Sequence, residues 1–124
     1  MRDQSIELLR VAKELRDYVI SLNLPQDVNE EGNSVGINLR ISDRIRMHYH
    51  PLHDYCSMEF SSWPKTVNVS LFEKDGYTNN TVTINVELVD DADLHTIILL
   101  VQADIAIFKA EKLIEDVHTS SSSI

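Results

Sequence analysis

The chain is poor in residues that staple, break or span. It has a single cysteine, so no internal disulfide can form and a reducing, cytoplasmic setting is expected. Three prolines and three glycines among 124 residues exclude collagen-like and linker-like architectures and leave room for long uninterrupted elements. The longest apolar run, Ile97 to Val101, falls far short of the ~20 residues that cross a bilayer, so no membrane role is expected. The opening MRDQSIELLR is charged and already amphipathic, unlike a secretory signal.

Positive charge is also scarce, with 11 Lys and Arg against 20 Asp and Glu and a net charge of −9. General binding to nucleic-acid backbones needs a field of the opposite sign and is not expected. Acidity of this kind suits a basic protein partner. The chain carries no Gly-rich phosphate loop, no Cys-x-x-Cys and no His-Glu-x-x-His, so it calls for no cofactor and no catalytic residue is assigned.

What the chain does carry is periodicity. Leu8, Val11, Ala12, Leu15, Tyr18, Val19 and Leu22 recur at spacings of three and four, which predicts an amphipathic helix over 4–22. Arg10, Lys13, Glu14 and Asp17 then face water, and Pro25 stops the helix. From Val35 the period becomes two. Five alternating runs over about 35–41, 44–50, 55–61, 66–71 and 82–88 predict an antiparallel meander with one polar face. Asp90, Asp91 and Asp93 suit the start of a last helix running to about His118. The expected fold is α+β: a two-layer sandwich of N-terminal helix, five-strand antiparallel meander and long C-terminal helix, with both helices on one sheet face. Residues 1–118 form a single domain, and 119–124 (TSSSSI) read as a disordered polar tail.

This element order resembles the frataxin sandwich, and the size and acidity are similar to those of secretion chaperones. Frataxins carry an acidic ridge on the first helix, which Arg10, Lys13 and Arg16 interrupt here, and secretion chaperones place a helix in mid-sheet. No family is assigned on these grounds.

Three clusters are candidates for function. The last helix has more apolar surface than one sheet face can cover, which predicts a homodimer through Ile97, Leu100, Val101, Ile105 and Phe108. The hairpin of residues 38–50 holds three arginines and one aspartate, a net +2 that leaves −11 for the remainder. Arg40, Arg44, Arg46, His48 and His50 on its wet face form a candidate surface for an anionic ligand, a nucleotide or an acidic stretch of a partner. The stretch MHYHPLHDYC supplies His48, His50, His53 and Asp54 as an alternative metal site. Its His-x-His-x-x-His-Asp order is similar to the His-x-His-x-Asp-His run of metallo-β-lactamase-type hydrolases, out of register by one residue. Cys56 alternates inward with Met58 and Phe60 and reads as a small core hydrophobe. The favoured function is a small non-catalytic protein-binding domain acting as inhibitor, immunity protein, adaptor or chaperone, with anionic-ligand binding second and metal-dependent hydrolysis third.

Overall fold

A computed structural model describes residues 3–62, 65–74, 76–84 and 91–122. Helix α1 spans Asp3–Ser21 and helix α2 spans Asp91–Ser122. Between them lie strands β1 (Asp27–Val28), β2 (Ser34–Arg40), β3 (Ile45–His50), β4 (Tyr55–Ser62), β5 (Lys65–Lys74), β6 (Tyr77–Thr78) and β7 (Thr81–Ile84). Among the described residues all seven strands pair antiparallel in one sheet, in the order β1-β2-β3-β4-β5-β6 with β7 also on β5. The α+β sandwich expected from periodicity is therefore the fold, with two more strands than the five expected.

The extra strands have local causes. Strand β6 pairs with the end of β5 at Glu73 and Lys74, while β7 pairs with Val67 to Ser70. They are one returning edge interrupted at Asn79-Asn80, where the Asn79 amide reaches back to the Phe72 carbonyl at 2.8 Å. The expected continuation over 85–88 lies outside the described residues. Strand β1 falls in a stretch that reads as loop, because both of its residues are exposed and show no alternation. It pairs with β2 through an irregular register at Gly36. Gly36 has φ +89°, and a Cβ there would lie 2.7 Å from the Tyr49 carbonyl oxygen, so only glycine fits.

The core lies between the sheet and the helix layer. Leu8, Val11, Leu15 and Val19 of α1 meet Leu94, Ile98, Val101 and Phe108 of α2 over Ile45, Met47, Met58, Phe60, Val67, Val69 and Leu71 of the strands, all buried. Tyr18 and Phe108 join the helices edge-to-face at 6.2 Å. Cys56 is buried in this core as the alternation requires, and burial pushes its thiol up to about 12. Pro51 closes β3 by starting a 3-10 turn, Pro51–His53, and Asp54 leaves it in the left-handed region. At the far end, α2 continues through Ser122, beyond the stop expected near His118, so the stretch read as a disordered tail begins as helix. Serine costs a helix only a few tenths of a kcal/mol, roughly, and lacks the power of Gly or Pro to end one.

Candidate functional site

The wet face of the sheet is built from two cross-strand rows. One runs Asn38–His48–Ser57–Ser70–Thr81, and the other Arg40–Arg46–Glu59–Asn68–Thr83. The rows follow from register, since alternate residues on each strand face the same side. Between β2 and β5 they line a depression of about 470 Å³ whose walls include Asn38, Arg40, Arg46, His48, Glu59 and Asn68.

Three of the five expected anion-binding residues, Arg40, Arg46 and His48, meet at this depression. Arg40 is paired with Asp43 across the hairpin turn. Arg46 lies opposite both Arg40 and Glu59, and among the described residues no carboxylate comes within ion-pairing distance of it. The His48 ring lies across Gly36 and its Nδ1 stands 2.9 Å from Asn38 Oδ1. With the amide oxygen accepting, Nδ1 carries the proton and Nε2 is left for a ligand.

Arg44 does not join them. It precedes β3, in the turn, and its Nη1 donates to both carboxylate oxygens of Asp104 on α2 at 3.0 Å. Ser42 Oγ donates to the same carboxylate at 2.9 Å. Asp104 is buried, and these two partners satisfy its charge. This clamp was absent from the sequence reading, although one signal was available. Among the described residues Asp104 is the only buried acid, set in the otherwise apolar inner stripe of α2, and a buried carboxylate calls for a cation.

His50 follows His48 on the same face, but its ring packs against His53 at 4.4 Å between centroids, with His48 6.3 Å away. Its Nδ1 is buried without a hydrogen-bond partner. Among the described residues no three of His, Cys, Asp and Glu come together in a way that could hold a metal ion. His48, His50, His53 and Asp54 therefore form a row of packed rings and a turn, and no hydrolytic chemistry is drawn from them. Below the sheet, Tyr49 is raised from its ordinary value by burial first and by the nearby Asp54 charge second.

The five expected interface residues of α2 divide differently. Ile97, Val101, Ile105 and Phe108 are buried within the protomer's own core, and Leu100 is half-buried. The opposite side of the helix carries the exposed apolar residues: Leu99, Ile107, Leu113, Ile114 and Val117 are each 53–65% exposed. No described helix is long and apolar enough to cross a membrane. Set beside protein families, characterised proteins and solved structures, the chain matches none.

Proposed function

We propose that this chain is a non-catalytic protein-binding domain, working as an inhibitor, immunity protein, adaptor or chaperone, and that the outer face of α2 is its principal contact surface. The observation that carries this reading is the line of exposed Leu99, Ile107, Leu113, Ile114 and Val117 along one helix whose other side is already in the core. Large apolar side chains left exposed along one face mark interaction sites on folded proteins. The net charge of −9 favours a basic partner and an association rate that falls with salt. The test compares the intact chain with Ile107→Glu/Leu113→Glu as baits in extract of the source cells. A protein retained by the first and lost by the second supports the reading, and identical capture by both refutes it.

A second reading rests on a separate observation. Arg46, with no carboxylate in ion-pairing range among the described residues, stands beside Arg40 and His48 over the ~470 Å³ depression. That arrangement fits a phosphate or carboxylate group, as on a nucleotide or an acidic segment. Calorimetric titration with ATP, comparing the intact chain and Arg46→Glu, tests it. Saturable heat that vanishes in the variant supports the reading, and no heat from the intact chain refutes it.

A further inference from the structure

Helix α2 carries two apolar stripes, and only one of them has a use inside the protomer. The inner stripe, Leu94, Ile98, Val101, Ile105 and Phe108, is buried against α1 and the sheet. The outer stripe is Leu99, Ala103, Ala106, Ala110, Leu113 and Val117, and every one of these is exposed. Its spacing alternates four and three throughout, which is the a/d seam of a coiled coil and not the broader face of a helix lying on a sheet. Ile107 and Ile114 widen the same seam on one side. Beyond Phe108 the helix leaves the core: of residues 109–118 only Lys112 is even half-buried. Three turns of helix with little tertiary cover are marginal in water, and a seam with coiled-coil spacing calls for another helix.

We propose that the occupant is α2 of a second copy, packed antiparallel about a two-fold axis near the middle of the seam. The inference rests on the protein-binding reading above and names the partner of that face. In this arrangement Leu99 meets Val117 of the second copy, Ala103 meets its Leu113, and Ala106 meets its Ala110. Large residues fall opposite small ones or at the ends, and the alanines let the axes close to ~8–10 Å. Ile107 then packs on its own copy, so all the exposed large side chains of the seam are covered together.

Area agrees with this occupant, while the net charge of −9 on each copy opposes it and makes the pairing tighten as salt rises. Five side chains each more than half exposed leave on the order of 500 Å² of apolar surface, against ~800 Å² per partner in a standard interface, with the alanines and flanking residues supplying the rest. On the other side of the seam the pairing sets Gln102 against Asp116 and brings the two Lys109 side chains near each other. Lys109 is drawn back over the Tyr18 ring at 5.0 Å, and the groove that it lines is also lined by Glu14. A register shifted by one heptad would pair His95 with Asp116 but strand Ile114 beside Asp93. Burying apolar side chains outweighs one exposed ion pair, so the first register is preferred. Parallel pairing would stack small on small in three layers, Ala103, Ala106 and Ala110, against two in the antiparallel arrangement, where Leu113 fills the space over Ala103.

Sedimentation equilibrium of the full chain at micromolar concentration reads the stoichiometry. The expected result is twice the 14.2 kDa chain mass, falling to the single mass in Ile107→Glu/Leu113→Glu, whose circular dichroism loses no more helix than the uncovered 109–118 segment supplies, because both residues are exposed in the protomer. Orientation is read by a spin label at His95→Cys, the native thiol being buried. Antiparallel pairing places the two labels about 40 Å apart, at ~1.5 Å per residue along the helix, whereas parallel pairing brings them within roughly 20 Å. A monomeric intact chain overturns the inference, and a short label distance overturns the antiparallel arrangement. A monomer whose capture of another protein still depends on Ile107 and Leu113 would overturn self-pairing alone. A monomer whose capture ignores them would overturn the binding face as well.

Discussion

Replacing Arg44 by alanine should loosen the β2–β3 turn from α2. The guanidinium holds both oxygens of Asp104 at 3.0 Å, and the Asp104 side chain is only 10% exposed while that of Arg44 is 42% exposed. A fully buried pair costs ~3–5 kcal/mol to break by removing one partner, and an exposed pair ~0–1. Arg44 is wet on one side, and Ser42 remains as a partner for the carboxylate, so the cost falls between these limits, at about 2 kcal/mol. For a chain of this size that lowers Tm by roughly 6–10 °C. Asp104→Ala should cost a similar amount, and the double variant less than the two singles together, with a coupling of about 1 kcal/mol or more. Urea denaturation followed by circular dichroism measures all four proteins, and the midpoint should move while the slope stays constant. An Arg44→Ala cost below about 0.5 kcal/mol, the level of an ordinary surface substitution, would refute the clamp. Strict additivity of the two singles would refute it equally.

Other substitutions probe different parts of the fold. Phe60 is fully buried between sheet and helices, and Phe60→Ala should cost about 3–5 kcal/mol in the same urea assay. Gly36→Ala must place a Cβ 2.7 Å from the Tyr49 carbonyl at φ +89°; a loss of about 2 kcal/mol or more is expected, and an unchanged midpoint would contradict the bulge. The Cys56 thiol, held up to about 12 by burial against an ordinary 9.0, should ignore a thiol-reactive chromogenic disulfide at pH 8 and react fully in denaturant. The folded state binds that proton more tightly than the unfolded chain. The thiol's contribution to stability is therefore complete below about pH 9 and is lost as pH rises toward 12, which a pH series of urea midpoints would register.

Much of this was legible in the sequence because burial writes itself as period. Val67, Val69 and Leu71 alternate with polar neighbours and do face the core, and Leu8 to Val19 lie on the buried stripe of α1. The surplus apolar content of α2 was visible too. Which residues would remain outside was not, since a helix apolar on both sides has no preferred inward direction until α1 and the sheet claim one. Ile97 and Phe108 went to the core, and Ile107 and Leu113 were left outside. Strand β1 was hidden because an exposed two-residue pairing leaves no hydrophobic signature. The wet-face cluster was half legible. Arg46 and His48 keep strand alternation, but Arg44 lies in the turn, where alternation lapses, and a buried acid sixty residues later decides its direction.

Amide hydrogen exchange across α2 tests most directly whether its outer face is occupied. Within the protomer, residues 109–118 have almost no cover, so an unpartnered helix there should fray and exchange within the range of an unstructured peptide. The account predicts that amides of 109–118 in the intact chain at micromolar concentration exchange slowly, close to those near Val101, and that Ile107→Glu/Leu113→Glu releases the first group while sparing the second. Fast exchange of 109–118 in the intact chain, unaltered by the substitutions, would contradict it.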